Sequence, residues 1–431
     1  MALNGLILAA PASGAGKTMV TLGLLRALHN RGIDICSAKS GPDYIDPAFH
    51  EAASGKPCVN LDAWAMAPAT LRAMAHRQAA GTLLIEGAMG LFDGAPVVDD
   101  PMGKGSVADL ARALDLPVVL VVDVSRQAQS VAAVIAGLAG FCKGVRIAGV
   151  ILNKVGSARH REMIERAITG IPVLGAIPRD NRMVRDSRHL GLVQAGEDSG
   201  LEDFIEGVAS VIADSVDLDK LLSLADVVPK AGETQALKPI GQRISVARDE
   251  AFGFIYPHMI SGWQAAGAEI SFFSPLADEA PHPNSDAIFL PGGYPELNAG
   301  RLAANSRFKH ALRASKAEIY GECGGYMVLG EGLEDANGLR HEMLGLLPVS
   351  TSFAKRKLHL GYRTLHALNG PFAGQKLNAH EFHYASITGA APADLFTATD
   401  SMGAPLGSIG HRRGAVSGSF AHIIMPALAD I

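Results

Sequence analysis

A short apolar run, Gly5 to Ala10, leads into Pro11-Ala12-Ser13-Gly14-Ala15-Gly16-Lys17-Thr18, and an amphipathic stretch follows to Arg31. Glycines at a strand-to-helix turn let successive N–H groups point inward, which makes a cradle for phosphate oxygens. Lys17 would reach the β/γ oxygens, and Thr18 would ligate a hard cation. A strand that feeds a helix in this way belongs to α/β folds, whose parallel sheets are covered on both faces. The customary leading glycine is absent: Pro11 stands at the standard spacing, or Ala10 if the loop is one residue longer. With strand and helix both in place, Ser13, Gly14, Gly16, Lys17 and Thr18 are expected to hold a nucleotide's phosphates.

Further strands follow the same logic. Thr82 to Ile85, Pro117 to Val122, Ile147 to Leu152 and Val173 to Ile177 are apolar throughout, as strands buried on both faces must be. Helical patterns at Val107 to Leu114, Gln127 to Leu138 and Arg159 to Ile168 separate the later ones. Residues 1–225 are therefore expected to form a doubly wound parallel sheet. The chain has 431 residues, more than one core usually supports, so a second domain is expected. Residues 226–242, polar and broken by Pro229, Gly232, Pro239 and Gly241, read as the linker. Residues 243–431 open on the strand Ile244-Ser245-Val246-Ala247 and continue to another at Asp286 to Leu290.

Acidic residues cluster where the first sheet would bind ligands. Lys39-Ser40-Gly41-Pro42-Asp43-Tyr44-Ile45-Asp46-Pro47 holds two prolines and a glycine and reads as a loop. Asp beside Pro is ordinary turn chemistry. The functional reading puts Asp43 on Mg²⁺ and Lys39, Tyr44 and Asp46 near an acceptor. The Thr82 strand ends in Glu86-Gly87-Ala88-Met89-Gly90-Leu91-Phe92-Asp93-Gly94. Acids at the C-terminal end of a parallel strand face the ligand crevice, so Glu86 joins Thr18 and Asp43 as a metal candidate, and Asp93 becomes a phosphate or acceptor contact. A GTPase would carry aspartate at Gly156 in Asn153-Lys154-Val155-Gly156, so ATP is expected, with Asn153 against adenine.

In the second half, Ile319-Tyr320 runs into Gly321-Glu322-Cys323-Gly324-Gly325 and then a helix-like run from Tyr326. A cysteine on such a turn sits in a strained conformation that glycine neighbours permit, and it would be partly ionised. A buried structural cysteine in a glycine-rich turn is the plain alternative. Phe289-Leu290-Pro291-Gly292-Gly293 ends another apolar strand in glycines, and Gly418-Ser419-Phe420-Ala421-His422 supplies a base. Cys323 and His422 are thus the expected catalytic pair, with Gly293 and Gly324 as oxyanion donors.

This half resembles a class I glutamine amidotransferase domain of flavodoxin-like α/β fold, whose cysteine releases ammonia from glutamine. In that class a glutamate two residues beyond the histidine orients it. Ile424 stands there, which implies a Cys323–His422 dyad with slow or tightly coupled turnover. The first half resembles the P-loop domain of dethiobiotin synthetase. Together with Pro291-Gly292-Gly293-Tyr294-Pro295-Glu296 and His380-Glu381-Phe382-His383, the chain resembles the cobyrinic acid a,c-diamide synthase family from Leu6 to His422, most specifically through Lys39–Pro47 and Glu86–Gly94.

Within that family it is most similar to the oxygen-dependent branch, whose acceptor is hydrogenobyrinic acid. Cobyrinic acid is the near alternative and a nickel-sirohydrochlorin a more distant one. The resemblance implies that ATP and Mg²⁺ convert corrinoid acetates into acyl phosphates, which ammonia then displaces. Lys355, Arg356, Lys357 and Arg363, with His380 and His383, would face the polyanionic acceptor, although charge runs are usually solvated. A CTP synthase-like enzyme and a partitioning-type regulatory ATPase are the competing readings.

Composition narrows the class further. Apolar residues are 48%, charged ones 19%, and the net charge is −5, a globular balance with no general affinity for nucleic acid. The four cysteines form no zinc or redox spacing, which suits a reducing cytoplasm. The apolar N-terminal run has no basic residue before it and reads as a strand, not a signal peptide. No stretch approaches the roughly 20 apolar residues that cross a bilayer, so no membrane is expected. The expected partners are small molecules, and a homodimer stays open. The His380/His383 spacing resembles a metal pair but shows no third ligand, so zinc is not expected.

Overall fold

The computed structural model describes residues 3–77, 81–98, 100–184, 200–230, 232 and 234–427. The chain divides into two compact units, the first of residues 1–95 and 100–234 and the second of residues 96–99 and 235–431. In the first, β1 (Asn4–Ala9) feeds α1 (Lys17–Asn30), followed by β2 (Ile35–Ser40), α2 (Asp46–Ser54), β3 (Val59–Leu61) and β4 (Thr82–Glu86). Then come α3 (Val107–Leu114), β5 (Val118–Asp123), α4 (Val131–Phe141), β6 (Ile147–Val155), α5 (Ala158–Ala167), β7 (Val173–Pro178), α6 (Leu201–Ser215) and a short β8 (Asp226–Val227).

The parallel strands lie in the order β3-β2-β4-β1-β5-β6-β7, and β8 adds antiparallel to β1 at Asn4 and Gly5. Crossovers run both ways from β1, so the loop after β1 sits where the strand order switches, the usual ligand crevice of such a sheet. Against the sheet, α1 packs on α6. Gly23 permits the contact, since a Cβ there would come within 2.3 Å of Ile212 and 2.9 Å of Val208. Arg26, buried in the same contact, pairs with Glu202 and Glu206.

Three sequence expectations change here. The Lys39–Pro47 stretch is a loop only at 41–45, because Lys39 and Ser40 complete β2 and Asp46 opens α2. Pro47 lies in the first helical turn, where its missing N–H has no intrahelical partner to lose. The helix expected from Gln127 begins at Val131. The stretch read as a linker, 226–242, starts with the two residues of β8.

The second unit includes β9 (Arg243–Ala247), α7 (Pro257–Ala265), β10 (Glu269–Phe273), β11 (Ala287–Leu290), β12 (Glu318–Glu322), α8 (Gly324–Leu329), β13 (His359–Ala367), β14 (Lys376–His383), β15 (Phe396–Asp400), β16 (Pro405–Ile409), β17 (His411–Arg413), β18 (Val416–Ser419) and β19 (His422–Pro426). Its main sheet has the order β10-β9-β11-β12-β18-β17, parallel except for the edge strand β17. Trp263, Phe289, Tyr320, Tyr326 and Phe308 fill its core.

A five-stranded antiparallel sheet, β16-β15-β13-β14-β19, and a smaller four-stranded one were not anticipated from the sequence. Only two residues part β18 from β19, so the parallel sheet hands the chain directly to the antiparallel one at His422. No helix among the described residues is long and apolar enough to cross a membrane, and all four cysteines are free.

Candidate active sites

In the first unit the phosphate loop carries φ angles of 80° at Gly14 and 88° at Gly16, a backbone form that side chains resist. Gly16 also has no room: a Cβ would lie 2.4 Å from Asn153 Nδ2. That amide donates to Ala15 O at 2.9 Å, while Asn153 Oδ1 accepts from Lys154 N. Asn153 therefore braces the loop from below. Lys17 is buried and donates to Met89 O at 2.5 Å, and burial lowers its pKa. Ser13 and Gly14 are exposed at the loop's tip.

Glu86, 1% exposed at the end of β4, is the hub beneath the loop. Its Oε1 accepts from Thr18 Oγ1 at 2.7 Å and Lys39 Nζ at 2.8 Å, and its Oε2 faces His50 Nε2 at 2.6 Å. Lys39 also donates to Asp46 at 2.5 Å. Burial opposes ionisation of Glu86, but Lys39 and His50 outweigh it and hold the carboxyl well below its usual range. Burial likewise opposes a charged His50, yet Cys58 and Glu86 raise it to about 10. Asp46 moves up to about 6, chiefly through burial.

The sequence reading named Glu86 and Lys39 but not His50, which lies inside α2 four residues after Asp46. Asp43 Oδ1 accepts from Ile45 N at 2.7 Å and Asp46 N at 3.2 Å, so it shapes the start of α2. Asp93 Oδ2 accepts from Gly90 N at 2.8 Å and folds the loop after β4 toward the phosphate loop, where Leu91 N donates to Ala10 O. Tyr44 is half-buried beside Asp43.

A Mg²⁺ ion fits this donor set. Ligands about 2.1 Å from a common octahedral centre lie about 3 Å apart along an edge, and Thr18 Oγ1 stands 2.7 Å from Glu86 Oε1. Both are hard oxygen donors. Lys39 shares the same Glu86 oxygen and has Asp46 as a second partner.

In the second unit Cys323 adopts φ 45° and ψ −102° between β12 and α8, a strained conformation for a side-chain-bearing residue. Its neighbours admit no larger residues. A Cβ on Gly325 would sit 1.9 Å from Leu290 O. On Gly292 it would lie 2.3 Å from His422 Cε1, 3.2 Å from His422 Nε2 and 3.3 Å from Cys323 Cβ. The buried Cys323 side chain and the His422 ring thus both border the bare backbone of Gly292.

Gly293 N lies 3.0 Å from where a Gly324 Cβ would stand, so the two expected oxyanion residues adjoin beside the cysteine. Burial, with help from Glu296, pushes the Cys323 thiol well up, and a hydrogen bond from Gly324 N–H only partly offsets this. The expected partial ionisation is therefore corrected: the dry site keeps the thiol protonated. His422 is pushed down to about 3, mainly by burial and then by His380 and His383, so its ring is neutral.

Glu322, which the sequence reading passed over, is also in this site. It is 1% exposed, its Oε2 lies 3.8 Å from His422 Nδ1, and its Oε1 accepts from Ile423 N at 3.1 Å. Burial raises it to about 8. Across the adjacent antiparallel sheet His380 pairs with His422, and the His383 ring stacks on Phe420 with centroids 3.8 Å apart.

Glu381 accepts from Arg363 Nε at 2.8 Å and faces His383 Nε2 at 2.8 Å. Despite burial, His383 and Arg363 hold its pKa down to about 2. Arg363 is thus committed to Glu381, while Lys355, Arg356 and Lys357 are exposed on the run before β13. His359, Glu381 and His383 bring ligand atoms within 4.8 Å of one another, so His383 groups with these two rather than with His380.

Residues 6–192 match the CobQ/CobB/MinD/ParA nucleotide binding domain, and residues 243–428 match the CobB/CobQ-like glutamine amidotransferase domain. Along its full length the chain is 57% identical to the hydrogenobyrinate a,c-diamide synthase of Brucella suis biovar 1, covering 98% of each. It belongs to the hydrogenobyrinate a,c-diamide synthase family. Other members align as completely, with 53% identity to that of a Sinorhizobium species over 98% of this chain and 99% of the relative, and 52% to that of Mesorhizobium japonicum over 100% of both. Membership in the hydrogenobyrinate a,c-diamide synthase family accounts for a phosphate loop and a cysteine–histidine pair in one chain.

Proposed function

We propose that this protein uses ATP and glutamine to convert the a and c acetate carboxylates of hydrogenobyrinic acid into amides. The observation that carries the reading is Cys323, held at φ 45° beside a buried neutral histidine, in the same chain as a phosphate loop backed by Glu86. A carboxylate resists ammonia because oxide is a poor leaving group. Transfer of the ATP γ-phosphoryl group to a carboxylate oxygen releases ADP and leaves an acyl phosphate. Ammonia adds to its carbonyl carbon, the C–O bond to phosphate breaks, and one proton is lost to give the amide.

Lys17 and the loop N–H groups hold the phosphates, and Lys39 offers a second cation on the acceptor side. Mg²⁺ held by Thr18 and Glu86 would neutralise phosphate charge. In the second unit His422 Nε2 takes the Cys323 proton as sulfur attacks the glutamine carboxamide carbon. The Gly293 and Gly324 N–H groups receive the developing oxyanion. Protonated His422 returns the proton to the leaving ammonia, and water then hydrolyses the thioester to glutamate.

The test measures ADP release and product mass with glutamine and each of three acceptors: hydrogenobyrinic acid, cobyrinic acid and UTP. The reading expects two amidations of hydrogenobyrinic acid, one ADP for each. Preference for cobyrinic acid would move the protein to the cobalt-containing acceptor, and turnover of UTP would replace the reading.

A further inference from the structure

The glutamate that orients the base in class I glutaminases has no counterpart at Ile424, and the fold brings a different carboxylate to the same ring nitrogen. We propose that Glu322 is the positioning residue of this glutaminase, fixing the His422 ring through Nδ1 and offsetting the charge it gains on taking the Cys323 proton. The inference rests on the assignment of Cys323 and His422 above.

Three observations carry it. Glu322 and His422 are both 1% exposed, and Oε2 stands 3.8 Å from Nδ1, so little solvent screens their interaction. Such contacts are commonly long before substrate binds and shorten in the reacting complex. The other oxygen is fixed by Ile423 N at 3.1 Å. The residue before the nucleophile is thereby clamped to the residue after the base, which sets the spacing of the pair. Finally, β12 and β18 pair Glu322 with Ser419, and Cys323 N donates to Ser419 O at 2.9 Å, so the backbone that carries the carboxylate is itself held.

In the reaction the proton on Nδ1 stays there. Nε2 gains the thiol proton as the C–S bond forms and gives it to ammonia as the C–N bond breaks. Burial alone disfavours the ionised form of Glu322, but the positive charge forming on His422 favours it, and a carboxylate beside Nδ1 then favours the tautomer with its lone pair on Nε2 and stabilises the transient imidazolium.

A purely structural glutamate would accept from Ile423 N and face the buried Tyr320 hydroxyl, and Glu322→Gln keeps an acceptor for both and the side-chain volume. The inference expects E322Q to lower kcat for glutamine hydrolysis by about 100-fold with KM little changed, while ammonium-supported amidation persists. It also expects slower alkylation of Cys323 by iodoacetamide across neutral pH. Wild-type glutamine kcat and an unchanged alkylation profile in E322Q would overturn it.

If E322Q loses the ammonium-supported rate as well, Glu322→Asp decides. Partial recovery of glutamine turnover with the shorter carboxylate supports the inference, and a variant as slow as E322Q overturns it. Cys323→Ala run in parallel separates the two readings. Glutamine turnover that survives in C323A removes the assignment of the nucleophile, whereas a dead C323A with a normal E322Q removes only the role of Glu322.

Discussion

Lys39 and Glu86 face each other across neighbouring strands, with Nζ 2.8 Å from Oε1, and β2 and β4 place the two residues in direct register. The same carboxylate oxygen accepts from Thr18 of the phosphate loop. Replacing Glu86 with Gln removes the charge that balances Lys39 and His50 inside the protein. Amidation should be lost with either glutamine or ammonium as nitrogen source. Stability should fall by about 3 kcal/mol, the scale for breaking a buried ion pair from one side. Steady-state ADP release and a urea midpoint measure the two effects, and normal turnover in E86Q would exclude Glu86 from the phosphoryl-transfer site.

His50 makes the stability of this unit depend on pH. Its pKa is raised to about 10 in the folded protein and is about 6.5 in an unfolded chain. The folded state holds the proton more tightly, so this contribution is complete below pH 6.5 and is lost as pH rises toward 10. Glu86 works in the opposite range, since its depressed pKa contributes above its unfolded value and fades in acid. Urea midpoints between pH 6.5 and 10 should therefore decline in the wild type, and His50→Gln should flatten that decline. Parallel curves for the two proteins would show that His50 carries no extra proton.

Cys323→Ala should abolish glutamine-supported turnover and leave ammonium-supported turnover intact. Gly292→Ala reaches a similar split through geometry alone. Its Cβ would lie 2.3 Å from His422 Cε1, so the ring must leave the cysteine. Glutamine-dependent kcat should drop by about 100-fold or more, while ammonium still supports the reaction. Assays with both nitrogen sources decide, and a G292A protein with full glutamine turnover would mean that the ring need not occupy this place.

Both nucleotide and thiol turns were legible because each ends an apolar strand in glycines whose backbone positions no other residue fills. Glu86 was legible for the same reason, as an acid closing a buried strand. Glu322 closes β12 in the same way, but nothing local to it signals the His422 ring that the fold brings beside it from a hundred residues later. His50 gave no local signal, since a histidine within a helix reads as packing until β4 brings Glu86 beneath it. The antiparallel strands β13 and β14 were obscured by their histidines and basic residues, which break the simple alternation of apolar and polar positions. Arg363 read as free positive charge because its partner Glu381 comes from the opposing strand.

Asn153 offers a test that separates two roles for one side chain. The sequence placed it against adenine, and the fold shows its Nδ2 donating to Ala15 O at 2.9 Å, directly beneath the phosphate loop. If the amide acts mainly as a brace, Asn153→Ala loosens the loop for every nucleotide. The KM values for ATP and GTP should then rise together, by about 10-fold for the loss of one buried hydrogen bond of roughly 1 to 1.5 kcal/mol. If it also reads the base, ATP should lose more than GTP and the ratio of their kcat/KM values should fall toward one. Measuring both nucleotides in N153A with ammonium as nitrogen source keeps the glutaminase out of the comparison. An unchanged KM for both would remove Asn153 from the nucleotide site altogether.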